Sequence, residues 1–287
     1  MKGDVLAVLG LGYMGGSVAL AARRAGVVQT VVGYDPDPQV APVALERGIA
    51  DRLAGTAAQA VAGAGVVVLA GPVQSLGATL TAIAPAVAAE ALVVDIGSVK
   101  APVVAAAEGT SLADRFVGCH PLAGTEATGP AAARPDLYAG KPLFVCPTAR
   151  TPAQVLARAR GFWQALGATV LDLDPDTHDV FMAAASHLPH VSAYALVETL
   201  TGQADMLALR IPPSFPPTSL RDASRVAASN PRIWRDILLA NRTHLLPLVR
   251  ALEESLGRLR RGLEAEDARA VEEYLERGRA CRQKIVG

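Results

Sequence analysis

The sequence predicts an α/β fold in which a doubly wound parallel sheet is followed by an all-α domain. From residue 4 to about 174, short apolar runs rich in β-branched residues alternate with Ala-rich helical stretches. Continuous apolar strands separated by helices are typical of a parallel sheet covered on both faces. A glycine-rich turn joins the first strand to the first helix. After Asp174 the β-rich runs become rare, and segments with helical spacing take over.

The individual elements follow from these patterns. Strands are predicted at 5–9, 30–34, 66–70, 92–95, 116–119, 143–146 and 169–173, and long helical segments at 177–200 and 231–263. The tripeptide Asp174-Pro175-Asp176 is turn-like and can cap the next helix, so we place the domains at 1–174 and 175–287. The Pro-rich stretch 211–217 is predicted to be a loop between helices.

Composition excludes several classes of function. The 287 residues are 51% hydrophobic, which is ample for a core, and 27 basic residues balance 27 acidic ones. This balance predicts neither nucleic-acid binding nor an anionic membrane surface as a partner. The three cysteines lack CxxC spacing, no signal peptide is recognised and no unbroken apolar run suggests a membrane span, so we expect a cytoplasmic protein. Histidine and cysteine spacing predicts no metal site.

The turn after the first strand has the pattern of a dinucleotide site. Gly10 permits a tight turn, Gly12 lets the backbone approach a pyrophosphate, and Gly15 allows close packing of the helix on the strand. Tyr13 and Met14 complete this segment, where the helix N-terminus presents unpaired N–H groups to phosphates. A glycine turn without a ligand is the alternative.

Asp35 lies at the end of the next strand, twenty positions after Gly15. A carboxylate there can accept hydrogen bonds from both ribose hydroxyls and would repel a 2′-phosphate. The following residues, Pro36-Asp37-Pro38, provide no Arg to neutralise such a phosphate. The sequence therefore favours NAD over NADP as cofactor.

A candidate catalytic histidine follows the strand at 116–119. His120 begins the stretch HPLAGTE and is predicted to lie at the carboxyl end of a strand, where open α/β sheets bind ligands. Histidine titrates near neutral pH and suits proton transfer. Ser98 follows the strand at 92–95, so its hydroxyl is expected at the same edge, where it can orient an imidazole or a substrate hydroxyl. A helix-capping role for Ser98 is equally compatible with its position.

The helical domain offers two further groups of polar residues. His187 and His190 are three positions apart and share one side of a helix, whereas His178 is expected on the opposite side if that helix is unbroken. Arg221 and Arg225 flank Asp222, and guanidinium groups bind carboxylates in bidentate fashion. An ordinary surface pair between Asp222 and Arg225 is slightly favoured by spacing alone.

Together these segments resemble the prephenate/arogenate dehydrogenase family of tyrosine biosynthesis. The resemblance covers nearly the whole chain and rests on GLGYMGGS at 10–17, GYD at 33–35, DIGSVK at 95–100, HPLAGTE at 120–126, SHLPH at 186–190 and RDASRVAASNPRIWRDILLAN at 221–241. It implies a Rossmann-type nucleotide-binding domain, a helical dimerisation domain and an NAD-dependent oxidative decarboxylation of prephenate to 4-hydroxyphenylpyruvate.

The resemblance also implies roles for individual residues. His120 would take the proton of the C4 hydroxyl while hydride leaves C4, and Ser98 would hold His120 and that hydroxyl in register. Arg225 would anchor a substrate carboxylate. The remaining substrate-binding residues would be His190, His187, Thr125 and Glu126.

Other functions stay open at this point. Arogenate carries an amine where prephenate carries a keto group, and a carboxylate such as Asp222 or Glu126 facing it would favour arogenate or dual specificity. A β-hydroxyacid dehydrogenase is disfavoured, because Lys284 is the only lysine after Lys141 and such enzymes use a lysine in the helical domain. A non-enzymatic NAD-binding sensor is a more remote alternative.

The C-terminal helices carry much apolar surface, which predicts a homodimer. Trp234, Ile237, Leu238, Leu245 and the stretch 248–263 provide this surface. A monomeric helical bundle is the alternative.

Overall fold

The computed structural model describes residues 5–124, 127–203 and 218–286. One sheet contains the eight strands found there: β1 (Val5–Leu9), β2 (Thr30–Tyr34), β3 (Arg52–Leu53), β4 (Val66–Leu69), β5 (Leu92–Asp95), β6 (Phe116–Pro121), β7 (Pro142–Cys146) and β8 (Thr169–Asp172). All seven predicted strands are present. Only β3 escaped prediction, because two residues, one of them an arginine, form no apolar run.

The strands are arranged in the order β3-β2-β1-β4-β5-β6-β7-β8. Pairing is parallel from β3 to β6, antiparallel between β6 and β7, and parallel again between β7 and β8. The prediction of a parallel sheet is therefore right for six strands and wrong for the last two, which run in the opposite direction. From β1 the chain adds strands first on one side (β2, β3) and then on the other (β4, β5, β6), so the strand order switches between β1 and β4. Ligands of open α/β sheets bind beyond the carboxyl ends of the strands at such a point.

Alternate residues of the central strands pack on opposite faces of the sheet. In β1, Leu6 and Val8 belong to one hydrophobic cluster, whereas Ala7 and Leu9 belong to the other. Both faces are therefore buried, which explains why these strands are apolar throughout.

Ten α-helices precede Asn241 in the described part of the chain: α1 (Tyr13–Arg24), α2 (Val40–Glu46), α3 (Ala57–Val61), α4 (Val73–Ile83), α5 (Ala101–Glu108), α6 (Ala153–Ala165), α7 (Pro175–Met182), α8 (Leu188–Gln203), α9 (Thr218–Ser224) and α10 (Pro231–Ala240). Short 3₁₀ turns occur at Pro130–Ala132 and Arg225–Ala228, and a π-helical turn at Ala183–His187 joins α7 to α8. Asp174 caps α7 as predicted, since its side chain accepts a hydrogen bond from the Thr177 N–H at 3.0 Å.

Two compact units emerge from the contacts within the chain, residues 1–241 and 242–287. The second contains α11 (Arg242–Glu264) and α12 (Ala268–Val286). The predicted helix at 231–263 is thus two helices, because α10 ends at Asn241. The boundary near residue 174 remains a prediction, and the predicted loop at 211–217 lies outside the described residues.

The helical segment Pro175–Gly202 is long and apolar enough, by length and composition alone, to cross a membrane. Its polar side chains His178, Asp179 and His187 are buried against the rest of the first unit. Only 22% of its most apolar stretch is buried within the structure, and the buried polar residues are the ones described next.

Candidate active site

The glycine turn between β1 and α1 has room for a ligand on one side only. Gly10 has a φ of +102°, and a Cβ there would lie 2.7 Å from the carbonyl carbon of Ala70. A Cβ on Gly15 would lie 2.0 Å from the Gly10 carbonyl oxygen, so neither position accepts a side chain. At Gly12 a Cβ would meet nothing within 4 Å. The open approach at Gly12, beside the uncapped N-terminus of α1, fits a pyrophosphate.

Asp35 lies directly beside this turn. Its Oδ2 accepts a hydrogen bond from the Leu11 N–H at 2.8 Å, and its Oδ1 accepts one from Asp37 N–H at 3.0 Å. The carboxylate is thus held next to the glycines, as a ribose-binding residue must be. Tyr13 is buried in the core, and Met14 packs against that core, so these two residues can contribute to a dinucleotide site chiefly through main-chain N–H groups.

His120 is buried at the end of β6 and hydrogen-bonds to a second histidine. Its Nδ1 lies 2.9 Å from Nε2 of His178 on α7, and the two rings meet edge to face. The Nδ1 of His178 lies 2.7 Å from Oδ1 of Asp179. A buried chain therefore runs from a carboxylate through one imidazole to the candidate catalytic imidazole.

The carboxylate of Asp179 is held by the start of α5. Main-chain N–H groups of Lys100 and Ala101 donate to its two oxygens at 2.7 and 2.8 Å. These donors belong to the first turn of the helix, where N–H groups lack partners within the helix. Asp179 thus links the helical segment to the carboxyl edge of the sheet.

Lys100 and Asp95 form a buried ion pair beneath the site. The Lys100 ammonium also donates to the Cys119 carbonyl oxygen at 2.9 Å, and the Cys119 N–H donates to Asp95 at 3.0 Å. Because these bonds join the end of β5 to the residue preceding His120, the pair fixes the position of the histidine main chain.

A π-helical turn lies between His178 and His187. Nine positions of regular α-helix would place His178 and His187 on opposite sides, which was our expectation. A π turn accommodates one extra residue, so it changes the angle between the His178 and His187 side chains around the helix axis by about a quarter-turn. Pro189 follows this turn and cannot donate an N–H to a regular helix. The condition of a regular helix between His178 and His187 is therefore not met.

His187 is fully buried, and Asn241 holds it. The Asn241 Nδ2 lies 3.1 Å from Nδ1 of His187 and 2.7 Å from the main-chain carbonyl oxygen of Asp179, to which it donates. The His187 Nε2 is buried without a hydrogen-bond partner. A buried nitrogen without a partner is costly, so this atom is available to a ligand.

His190 lies one turn further along α8 and stacks on Trp234 of α10. The ring centroids are 3.4 Å apart with planes 19° from parallel, and the His190 Nδ1 hydrogen-bonds to the Ser186 carbonyl oxygen at 2.9 Å. Trp234 also meets His187 edge to face, at 5.9 Å between centroids. This indole therefore positions both histidines of the SHLPH segment, a role that the sequence pattern did not reveal.

The remaining predicted site residues are less constrained. Ser98 is half-buried and makes no hydrogen bond to a described residue, so its role toward substrate stays a prediction. Arg225 is exposed, and its charge contributes to lowering the pKa of His190. The favoured surface pair between Asp222 and Arg225 was wrong, because no ion pair joins them. Thr125 and Glu126 lie outside the described residues.

Burial keeps the imidazoles of the site neutral. It lowers the pKa of His120 well below the ordinary value of 6.5, and positive charge on His178, Lys100 or His187 adds to this effect. Burial likewise lowers the pKa of His178, although its hydrogen bond to Asp179 opposes the shift. The pKa of His187 falls to about 4 for the same main reason. A neutral imidazole can accept a proton, as a general base must.

Comparison with known proteins decides the family. Residues 18–172 match the model of the prephenate dehydrogenase nucleotide-binding domain, and residues 174–277 match that of the prephenate dehydrogenase dimerization domain. The chain belongs to the prephenate dehydrogenase family. The predictions of family, fold class and enzyme class are confirmed, and the sensor hypothesis loses its support.

Relatives of this family are similar over nearly the whole chain. A cyclohexadienyl dehydrogenase of Zymomonas mobilis is 34% identical and covers 96% of this chain and 94% of its own length. A Bacillus subtilis prephenate dehydrogenase is 30% identical, covering 98% of this chain and 76% of its own.

A solved structure is also similar over the whole chain. It is a prephenate dehydrogenase from A. aeolicus, solved with hydroxyphenyl propionate and NAD+, which superposes with a TM-score of 0.86 at 31% identity over 99% of each chain.

Proposed function

We propose that this member of the family catalyses the NAD-dependent oxidative decarboxylation of prephenate to 4-hydroxyphenylpyruvate. The observation that carries the proposal is the buried neutral imidazole of His120, held at the carboxyl edge of the sheet by His178. Such a base, next to a glycine turn with an open side at Gly12, suits removal of a proton from an alcohol during its oxidation.

NAD is the proposed cofactor, and four residues fit it. Gly10, Gly12 and Gly15 shape the turn for a pyrophosphate, and the Asp35 carboxylate stands where it can bind ribose hydroxyls and repel a 2′-phosphate. When bound, NAD accepts the hydride that leaves C4 of the substrate. The NAD+ bound to the similar A. aeolicus enzyme supports this assignment.

In the proposed reaction His120 accepts one proton and later returns it. The imidazole takes the C4 hydroxyl proton as C4 loses hydride, leaving a cyclic dienone. The bond from C1 to the carboxylate then breaks, CO₂ departs and its electron pair enters the ring. The resulting phenolate regains the proton from His120, and aromatisation makes the sequence favourable.

Substrate binding is assigned to the groups around the two helical histidines. Arg225 is a cation without an ion pair in the described part of the chain, which suits a substrate carboxylate. The unpartnered Nε2 of His187 and the stacked His190 offer hydrogen bonds to further oxygens. Ser98 is proposed to orient the C4 hydroxyl, and Thr125 and Glu126 to line the pocket.

Arogenate is the second candidate substrate. The similar Zymomonas mobilis protein is named cyclohexadienyl dehydrogenase, and an arogenate dehydrogenase from Synechocystis superposes with a TM-score of 0.79 at 28% identity, over 98% of this chain and all of that one. Within this chain Asp222 is exposed and has no ion-pair partner among the described residues, so it can meet the arogenate amine.

Initial rates decide among these proposals. We expect NADH formation from prephenate with a higher kcat/KM than from arogenate, and with NAD better than NADP. A higher kcat/KM with arogenate would mean that arogenate, and not prephenate, is the preferred substrate. Equal rates with NAD and NADP would overturn the proposed role of Asp35.

We further propose a homodimer in the cytoplasm. The matched dimerization-domain model supports self-association, as do exposed apolar residues of the C-terminal unit such as Leu256, Leu263 and Leu275. Of the apolar residues predicted to provide a dimer surface, Ile237 and Leu245 are instead buried within the chain. Cys119, Cys146 and Cys281 are unpaired, which suits a reducing compartment. Sedimentation at several protein concentrations tests the dimer.

A further inference from the structure

We propose that Asp179 and His178 set the tautomer of His120, so that His120 carries its proton on Nδ1 and offers an unprotonated Nε2 to the substrate hydroxyl. The inference rests on the proposed role of His120 as base. It assigns His178 and Asp179 as positioning residues that act through His120.

The carboxylate of Asp179 lies at one end of the hydrogen-bonded chain. Asp179 accepts two main-chain N–H bonds from Lys100 and Ala101 and one contact from His178. Hydrogen bonds donated to a carboxylate favour its charged form. An ionised carboxylate only accepts hydrogen bonds, so the Nδ1 of His178 must be the donor in the 2.7 Å contact.

The proton on His178 then determines the proton on His120. A neutral imidazole has one donor and one acceptor nitrogen, so His178 with its proton on Nδ1 presents a lone pair at Nε2. That lone pair lies 2.9 Å from Nδ1 of His120, which must therefore donate. The Nε2 of His120 is left unprotonated, which is the state of a general base.

The opposite arrangement would disable the base. If His178 were protonated on both nitrogens, its Nε2 would donate, and a neutral His120 would hold its proton on Nε2 where the substrate hydroxyl arrives. Burial disfavours the charged form of His178, which is fully inaccessible to solvent. The positive charge of Lys100 acts in the same direction, whereas Asp179 and Asp95 oppose it, and the net effect lowers the pKa of His178.

Two variants of His178 separate hydrogen bonding from packing. His178→Phe keeps an aromatic ring against Phe144 but removes the acceptor for His120. His178→Gln restores an acceptor, because the Gln Oε1 can take the place of the imidazole Nε2. His244 lies in the C-terminal unit, outside this network, so His244→Gln is the matched control.

The tautomer is read directly by NMR of protein labelled with ¹⁵N-histidine. Long-range ¹H–¹⁵N correlations distinguish protonated from unprotonated ring nitrogens, and the five histidines are few enough to assign by single substitutions. We expect His120 of the wild-type protein and of His178→Gln to be protonated on Nδ1. In His178→Phe we expect Nε2 to carry the proton.

Steady-state kinetics give the second measurement. We expect His178→Phe to lose about 10²-fold in kcat, the lower end for general-base catalysis, with KM changed less than about threefold. His178→Gln should recover at least about tenfold of that loss. Wild-type His120 protonated on Nε2, or a His178→Phe variant with undiminished kcat, would overturn the proposal. If neither prephenate nor arogenate is turned over, the proposed function fails, but the NMR spectrum still decides the tautomer.

Discussion

Asn241 approaches Nδ1 of His187 with its side-chain amide nitrogen at 3.1 Å, so that imidazole accepts at Nδ1 and carries its proton on Nε2. The same amide donates its other hydrogen to the main-chain carbonyl oxygen of Asp179. One side chain at the end of α10 thereby joins the π-helical turn to the main chain of Asp179.

Removing this amide should destabilise the protein. Asn241→Leu keeps a similar volume but leaves the His187 Nδ1 buried without a donor. It also removes one of two donors to the Asp179 carbonyl oxygen, which keeps the Ala183 N–H. We expect a decrease of about 2 kcal/mol or more in the free energy of unfolding, measured with urea. Asn230→Ser, which retains a cap for α10, is the control and should change it little. Equal stability of both variants would mean that the two bonds contribute nothing net.

Stability should also fall in mild acid. His187 has a folded-state pKa of about 4, and burial lowers the pKa values of His120 and His178 in the same direction. The unfolded chain therefore binds protons more readily below its own histidine pKa of about 6.5, and stability falls as the pH drops from there toward 4. His187 alone accounts for about 3 kcal/mol over this window.

Urea unfolding at pH 7.5, 6 and 5 measures this effect. The free energy of unfolding should decrease at each step. His187→Asn should flatten the dependence, whereas His244→Gln should leave it unchanged. A free energy of unfolding that stays constant from pH 7.5 to 5 would contradict the burial of neutral imidazoles.

The pH dependence of activity should also reflect the lowered pKa of His120. Since burial and nearby positive groups disfavour the imidazolium, the base stays neutral below pH 6.5, and the acid limb of kcat/KM should lie below that value. His120→Asn should lower kcat by about 10² to 10⁴-fold. Its NAD affinity, measured by fluorescence titration, should be unchanged, because the glycine turn is intact. An acid limb above pH 6.5 would assign the base elsewhere.

How far the sequence could predict this site depends on the residue. The glycine turn, Asp35 and His120 could be placed at one edge of the sheet, because each lies at the end of an apolar strand. His178, Asp179 and Asn241 were not found, because their contacts join α7 to β6, to the start of α5 and to the end of α10, which are distant in the sequence. Periodicity assumes an uninterrupted helix, so one extra residue in a turn moves every following side chain to another face. The buried Lys100–Asp95 pair was also missed, since a charged residue after a strand is usually solvated.

Substrate anchoring can be separated from catalysis at Arg225. The guanidinium is exposed, forms no ion pair within the described residues, and is close enough to His190 to affect its pKa. If it binds a substrate carboxylate equally in ground and transition states, Arg225→Ala should raise KM about 30-fold, corresponding to roughly 2 kcal/mol, and leave kcat within about threefold.

Arg221→Ala is the matched control for this variant. Arg221 is exposed on the neighbouring α9 and carries the same charge, so both variants change the net charge equally. If the arginines act only through general electrostatic attraction of the dianionic substrate, removing either one would raise KM by a similar factor. That effect on KM would become smaller as the salt concentration rises. A specific anchor instead gives a KM effect confined to Arg225→Ala. A fall in kcat with unchanged KM in that variant would place the guanidinium in the chemical step.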